Sequence, residues 1–188
     1  MAEQNLIKIT APFDCELSRS LKAGTLVLLS GTIYTARDKA HQKLVALLDK
    51  GEPLPILLRD QIIYYAGPTP AKPGRPIGSV GPTTSGRMDA FSPRLIREAG
   101  LRGMIGKGPR NDAVIKAMQE EGALYFTAIG GTGAQIARSV KKADVVAFPE
   151  LGTEAVRRLE VFEFPLILAI DAQGANLFDE GPKAYRQK

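Results

Sequence analysis

The segment GPTTSGRMD (81–89) gathers three adjacent hydroxyls, Thr83, Thr84 and Ser85, and one guanidinium, Arg87, behind a proline that fixes the backbone. A helix cap needs one such hydroxyl, so the surplus points to a ligand. Hydroxyls donate and accept protons, and an arginine fork holds a carboxylate by two hydrogen bonds. A helix starting near Arg87 would add free amide N–H groups that attract an anion. Two further segments carry related chemistry. TARDKAH (35–41) offers Arg37, Asp38 and His41 where a strand passes into a helix, with Asp38 the expected cap. Taken alone, those three side chains read equally well as surface residues. GMIGKG (103–108) sets Lys107 between two glycines at the end of a short buried strand, the end at which α/β sheets collect ligands. Arg37, Arg87 and Lys107 together suit a small dicarboxylate.

Two nucleotide-binding patterns come close and fail. In GLRGMIGKG, Gly100 and Gly106 stand one residue too far apart for a phosphate loop, and Gly108 occupies the place of the magnesium-binding hydroxyl. In GGTGAQIA, Ile136 replaces the small residue that close helix–strand packing needs, so the stretch reads as a turn into a helix. Metal ligands are also lacking. One cysteine, Cys15, and one histidine, His41, are too few for a zinc or iron–sulfur site, and they leave no internal disulfide. Cys15 reads as a small buried apolar side chain. Metal chemistry, if present, must draw its ligands from another chain.

Bulk properties narrow the partners. The net charge of +5 suits an anion, yet the cations are spread along the chain and aromatics are only 6%, which argues against nucleic acid. No apolar run approaches the roughly 20 residues of a membrane span. The opening MAEQNLIKIT lacks the basic and apolar regions of a signal peptide, so the expected location is cytoplasmic, with no membrane partner.

The elements that must position these groups follow from periodicity. With 188 residues the chain suits one domain, 1–188. LIKITAPFD and GTLVLLSGTIYTARD predict strands, the second broken at Gly31, and Asp38–Lys50 predicts a helix ended by Gly51. A strand around Ile62–Ala66 leads into a Gly/Pro-rich stretch, 67–86, whose prolines and closing hydroxyls favour a functional loop over a flexible linker. Beyond it the pattern is α/β. A helix over Arg87–Ala99 breaks near Ser92-Pro93, with the serine as cap, and NDAVIKAMQEEG forms a helix capped by Asn111 or Asp112. Strands are expected in LRGMIGKG, ALYFTAIGG and ADVVAF, with a short helix in AQIARSV. TEAVRRL predicts a helical turn or two, VFEFPLILAIDAQG a strand interrupted at Pro165, and GPKAYRQK a frayed tail.

The combination of GPTTSGRMD, TARDKAH, IGKG and FPELGTEAV resembles the C-terminal domain of the class I iron–sulfur fumarases, which also occurs as a separate β subunit and in L-tartrate dehydratase. The resemblance spans nearly the whole chain and implies a three-layer swivelling β/β/α domain. It implies a hydro-lyase that hydrates fumarate to (S)-malate, working only with an α subunit that ligates a [4Fe-4S] cluster, in a hetero-oligomer. It further implies that Arg37, Arg87 and Lys107 bind substrate carboxylates. Thr83 would move a proton at C3 of malate, Lys107 would assist catalysis, and Thr84 and His41 would contribute to substrate binding. KGPRND departs from the family in the residue after Gly108. L-tartrate dehydratase is the alternative enzyme, and a stand-alone anion-binding or scaffold domain the alternative outside catalysis.

Overall fold

A computed structural model describes residues 6–185. Seven strands form one sheet in the order β1-β2-β3-β4-β5-β7-β6. They are β1 (Leu6–Ala11), β2 (Leu26–Thr35), β3 (Ile62–Tyr64), β4 (Gly103–Gly106), β5 (Leu124–Thr127), β6 (Val140–Ala147) and β7 (Val156–Ile170). Strands β1 to β5 pair in parallel. β7 is antiparallel to β2 along one edge and to β5 and β6 along the other, so the sheet bends back upon itself. Helices α1 (Cys15–Ser20), α2 (Asp38–Asp49), α3 (Ser92–Ala99), α4 (Asp112–Glu121), α5 (Gly133–Ile136) and α6 (Leu177–Tyr185) complete the chain, with short 3-10 turns at Ser85–Met88 and Pro149–Glu154.

Strands β3 to β5 are coated on both faces, as the alternation of a strand requires. Ile62, Tyr64, Ile105, Leu124 and Phe126 join one core with Leu29, Ile33 and Leu166 from β2 and β7. The intervening Ile63, Met104 and Tyr125 join a second core with Leu44, Leu95 and Met118 from α2, α3 and α4. Each fully buried leucine or isoleucine contributes roughly 2 kcal/mol, so both faces hold the central strands in place. The break expected at Gly31 is a bulge inside a continuous β2, where the pairing with β7 shifts between Leu29 and Gly31. Gly31 has φ +104°, and a Cβ there would lie 2.2 Å from the Ala11 carbonyl oxygen, so only glycine fits.

Several local expectations are corrected. In TEAVRRL only Thr153 and Glu154 are helical, as the end of a 3-10 turn: Val156 begins β7, whose Arg157–Val161 pairs with both β2 and β6, and this pairing overrides helical propensity. Pro165 does not interrupt β7, and the local distortion sits at Glu163, with φ +50°. Ser92 does not cap α3. Phe91 holds the cap position, while the Ser92 hydroxyl turns inward to the Met88 carbonyl at 2.9 Å. Between Asn111 and Asp112, Asn111 is the cap, accepting from Val114 N at 3.0 Å. The tail forms α6 through Tyr185, and the rest of the stretch read as frayed, 186–188, lies outside the described residues. Cys15 is half-buried rather than buried, and its sulfur accepts from Arg19 Nε at 3.3 Å and approaches the Glu121 carbonyl.

Candidate functional site

The parallel strands β2, β3, β4 and β5 end on one edge. The connections leaving that edge, with the helix that β2 leads into, carry Arg37, His41, Thr83, Thr84, Arg87 and Lys107. Beyond Ile105 strands β3 and β4 part, and Thr83–Ser85 wedges between them. Thr83 N donates to the Tyr65 carbonyl at 2.7 Å, Lys107 N to the Thr83 carbonyl at 3.2 Å, and Ser85 N to the Lys107 carbonyl at 2.9 Å. Gly106 makes room for this wedge, since a Cβ there would sit 1.9 Å from Ser85 Oγ. Thr83, Thr84 and Lys107 are thereby brought together. The amides of Thr83 and Ser85 are engaged in these bonds, and only a 3-10 turn follows, so the expected anion-attracting helix start does not form.

The 3-10 turn carries Arg87 away from Lys107 toward α2, where Nη2 forms an ion pair with Asp38. Asp38 is therefore the first residue of α2 rather than its cap. Glu154 supplies what a cap would: one oxygen accepts from Lys39 N at 3.1 Å, and the other lies 3.7 Å from Arg37 Nη2. The Arg37 guanidinium packs against Gly67, where a Cβ would meet it at 3.0 Å. Arg37 and Arg87 thus flank one acidic pair, Asp38 and Glu154. Each guanidinium keeps further N–H donors, because neither ion pair is bidentate.

His41 lies beneath this surface. It is fully buried, its Nδ1 lies 2.9 Å from the Arg37 carbonyl, and its ring meets Tyr65 edge-on with centroids 5.3 Å apart. Burial holds its imidazole down to a pKa of about 4, partly opposed by the bond to Arg37 and reinforced by Arg110. The neutral ring therefore donates from Nδ1 to the carbonyl, fixing the residue that carries the Arg37 guanidinium. The first arm of the Gly/Pro-rich stretch runs elsewhere. Thr69–Ser79 lies over α5 and β6 and lines, with Arg138 and Lys141, a basic hollow of about 600 Å³.

A buried polar layer under the wedge has no counterpart in the sequence reading. Asp89 and Arg110 form an ion pair of 2.7 Å. Tyr125 OH donates to the Gly108 carbonyl at 2.8 Å and meets Ser85 Oγ at 2.8 Å. The one hint was KGPRND itself, where a basic residue closely precedes a helix cap. Among the described residues, no three His, Cys, Asp or Glu side chains are grouped to hold a metal ion, and no helix is long and apolar enough to cross a membrane.

A family model described as the fumarase C-terminus matches residues 2–181. The chain belongs to the fumarase C-terminus family. Its relatives include the anaerobic class I fumarate hydratase of Escherichia coli strain K12, 43% identical over 157 residues, covering 83% of this chain and 29% of that protein. Fumarate hydratase 2 of Leishmania major is 41% identical over 158 residues, 84% of this chain and 28% of that one. A Methanocaldococcus jannaschii protein, provisionally named L(+)-tartrate dehydratase subunit beta, is 41% identical over 175 residues, 90% of each chain. This member of the fumarase C-terminus family therefore spans less than a third of each of these two fumarate hydratases.

Proposed function

We propose that the chain is the β subunit of an iron–sulfur hydro-lyase that hydrates fumarate reversibly to (S)-malate, and that its layering is the swivelling β/β/α domain. One observation carries this reading: the segment Thr83–Arg87 links two clusters at one sheet edge, Lys107 with the hydroxyls and Arg37 with the guanidinium of Arg87. A planar dicarboxylate presents one anionic group to each cluster and leaves its reacting carbons between them, beside Thr83. A relative matched along 90% of its length and named a β subunit supports a division between two chains.

Hydration forms a C–O bond at one carbon and a C–H bond at its neighbour. We assign the proton at the second carbon to the Thr83 hydroxyl, which donates it in hydration and accepts it in dehydration. A lone threonine is a weak base, so the Lys107 ammonium acts beside it, favouring the alkoxide and the charge that develops on the carboxylate. Thr84 lines the same wedge. His41 supports Arg37 from behind instead of touching substrate. One cysteine and one histidine cannot ligate a [4Fe-4S] cluster, so we assign the cluster, and the Lewis acidity it supplies, to the α subunit. The proposed assembly is a cytoplasmic hetero-oligomer.

L-tartrate dehydration is the second reading, favoured by the relative that matches over 90% of each chain. Anaerobic co-expression with a cysteine-bearing partner, followed by assays with fumarate, (S)-malate and L-tartrate, decides between them. Hydration of fumarate supports the first reading, and turnover of tartrate alone the second. Binding of dicarboxylates with no turnover would reduce the chain to an anion-binding domain.

A further inference from the structure

We infer that Arg110 is a positioning residue, a buried cation that holds the Thr83–Ser85 wedge and Lys107 in fixed register. This role rests on the proposed function for its purpose and on packing alone for its geometry.

The Arg110 side chain is 0% exposed and its partner Asp89 11%. Nε donates to Asp89 Oδ1 at 2.7 Å, Nη2 to Ser92 Oγ at 2.8 Å, and Nη1 to Tyr65 OH at 3.3 Å. The guanidinium lies between two rings, 5.3 Å from the centroid of Tyr65 and 5.1 Å from that of Tyr125. Each tyrosine in turn grips one part of the wedge. The Tyr65 carbonyl accepts from Thr83 N. Tyr125 has one proton, which it donates to the Gly108 carbonyl, so Ser85 Oγ–H must donate to the phenol oxygen. Burial pushes the Tyr125 phenol up, which keeps that proton in place. The second oxygen of Asp89 accepts from Asn111 N at 2.8 Å, tying the end of GPTTSGRMD to the residue after Arg110.

Arg110 therefore stands at the junction of two loops that sequence keeps apart. Asp89 ends the segment bearing Thr83 and Arg87, and Arg110 follows Lys107 by three residues. A buried ion pair contributes little net stability compared with an apolar pair of the same volume, but it specifies a single geometry when fully hydrogen-bonded. Lysine cannot replace it, because one compact ammonium cannot reproduce the spread of the guanidinium's bonds to Asp89, Ser92 and Tyr65.

The test compares Arg110→Lys, Asp89→Asn and the milder Tyr125→Phe with the unaltered chain, in the assembled complex and at a temperature well below melting. Amide exchange is followed in the same full chains. The expected result is a fall in kcat/KM of at least tenfold for Arg110→Lys and a smaller fall for Tyr125→Phe. Exchange should quicken at 83–85 and 107–108 while β6 and β7 stay protected. Should Arg110→Lys fail to fold, Asp89→Asn carries the same test with the same expected pattern, since it removes the charge that Arg110 Nε pairs with while keeping the side chain's size. Unchanged exchange at both segments with kcat/KM within twofold would overturn the inference. So would exchange that quickens uniformly through the chain, the mark of a merely stabilising core pair. If the unaltered complex turns over no dicarboxylate, the functional reading fails, while the exchange pattern still decides the coupling.

Discussion

Arg87 pairs with Asp38 through one nitrogen and is half exposed, so a substrate carboxylate can reach its remaining donors. Removing it should lower kcat/KM of the assembled enzyme by roughly 100-fold or more, equivalent to about 3 kcal/mol. Arg87→Lys should recover little of this, because a point charge cannot both hold Asp38 and fork onto a carboxylate. Steady-state kinetics on both variants checks the claim. Thr83 is distinguished from a structural residue in the same way. Thr83→Ala should slow turnover by about 100-fold with little change in dicarboxylate affinity, whereas Thr84→Ala should be mild. His41 gives a pH signature. Above pH 6.5 it is neutral in folded and unfolded chains alike and contributes no pH dependence. As pH falls from 6.5 toward its folded value of about 4, the unfolded chain takes up the proton first, so stability should drop by about 3 kcal/mol and then level off. Urea unfolding across that window should show this loss, and His41→Gln should remove it. The residues offering chemistry were legible because hydroxyls and cations cluster within short segments. Asp89 and Arg110 were not, since twenty-one positions separate them and charged side chains ordinarily read as solvated.

At the scale of elements, the site depends on two strands that part and a segment that fills the gap. Gly106→Ala should force Ser85 out of the wedge, destabilising the chain by about 1–3 kcal/mol and weakening dicarboxylate binding more than the loss of stability explains. Thermal melting alongside calorimetric titration of fumarate separates the two effects. Strands were readable where apolar and polar residues alternate, as in β1, or where apolar and β-branched residues run together, as in β2, and helices wherever a cap and a terminal glycine framed them, as in α4 with Asn111 and Gly122. Two features escaped because they are decided by neighbours far along the chain. TEAVRRL extends β7 only because β2 and β6 lie on either side of it. Thr83–Ser85 pairs with Tyr65 and Lys107 only because β3 and β4 diverge.

In the whole molecule the residues of the candidate site gather on one edge of a sheet with a hydrophobic core on each face. The proposed function has the site shared between two chains, which would make this chain necessary and insufficient. The most direct measurement is an anaerobic titration of the chain into a fixed amount of cluster-bearing partner while fumarate hydration is followed. Activity should be absent from either chain alone, rise linearly, and stop rising at a fixed molar ratio. A partner that hydrates fumarate equally well without this chain would contradict the assignment, as would a chain that turns over fumarate by itself.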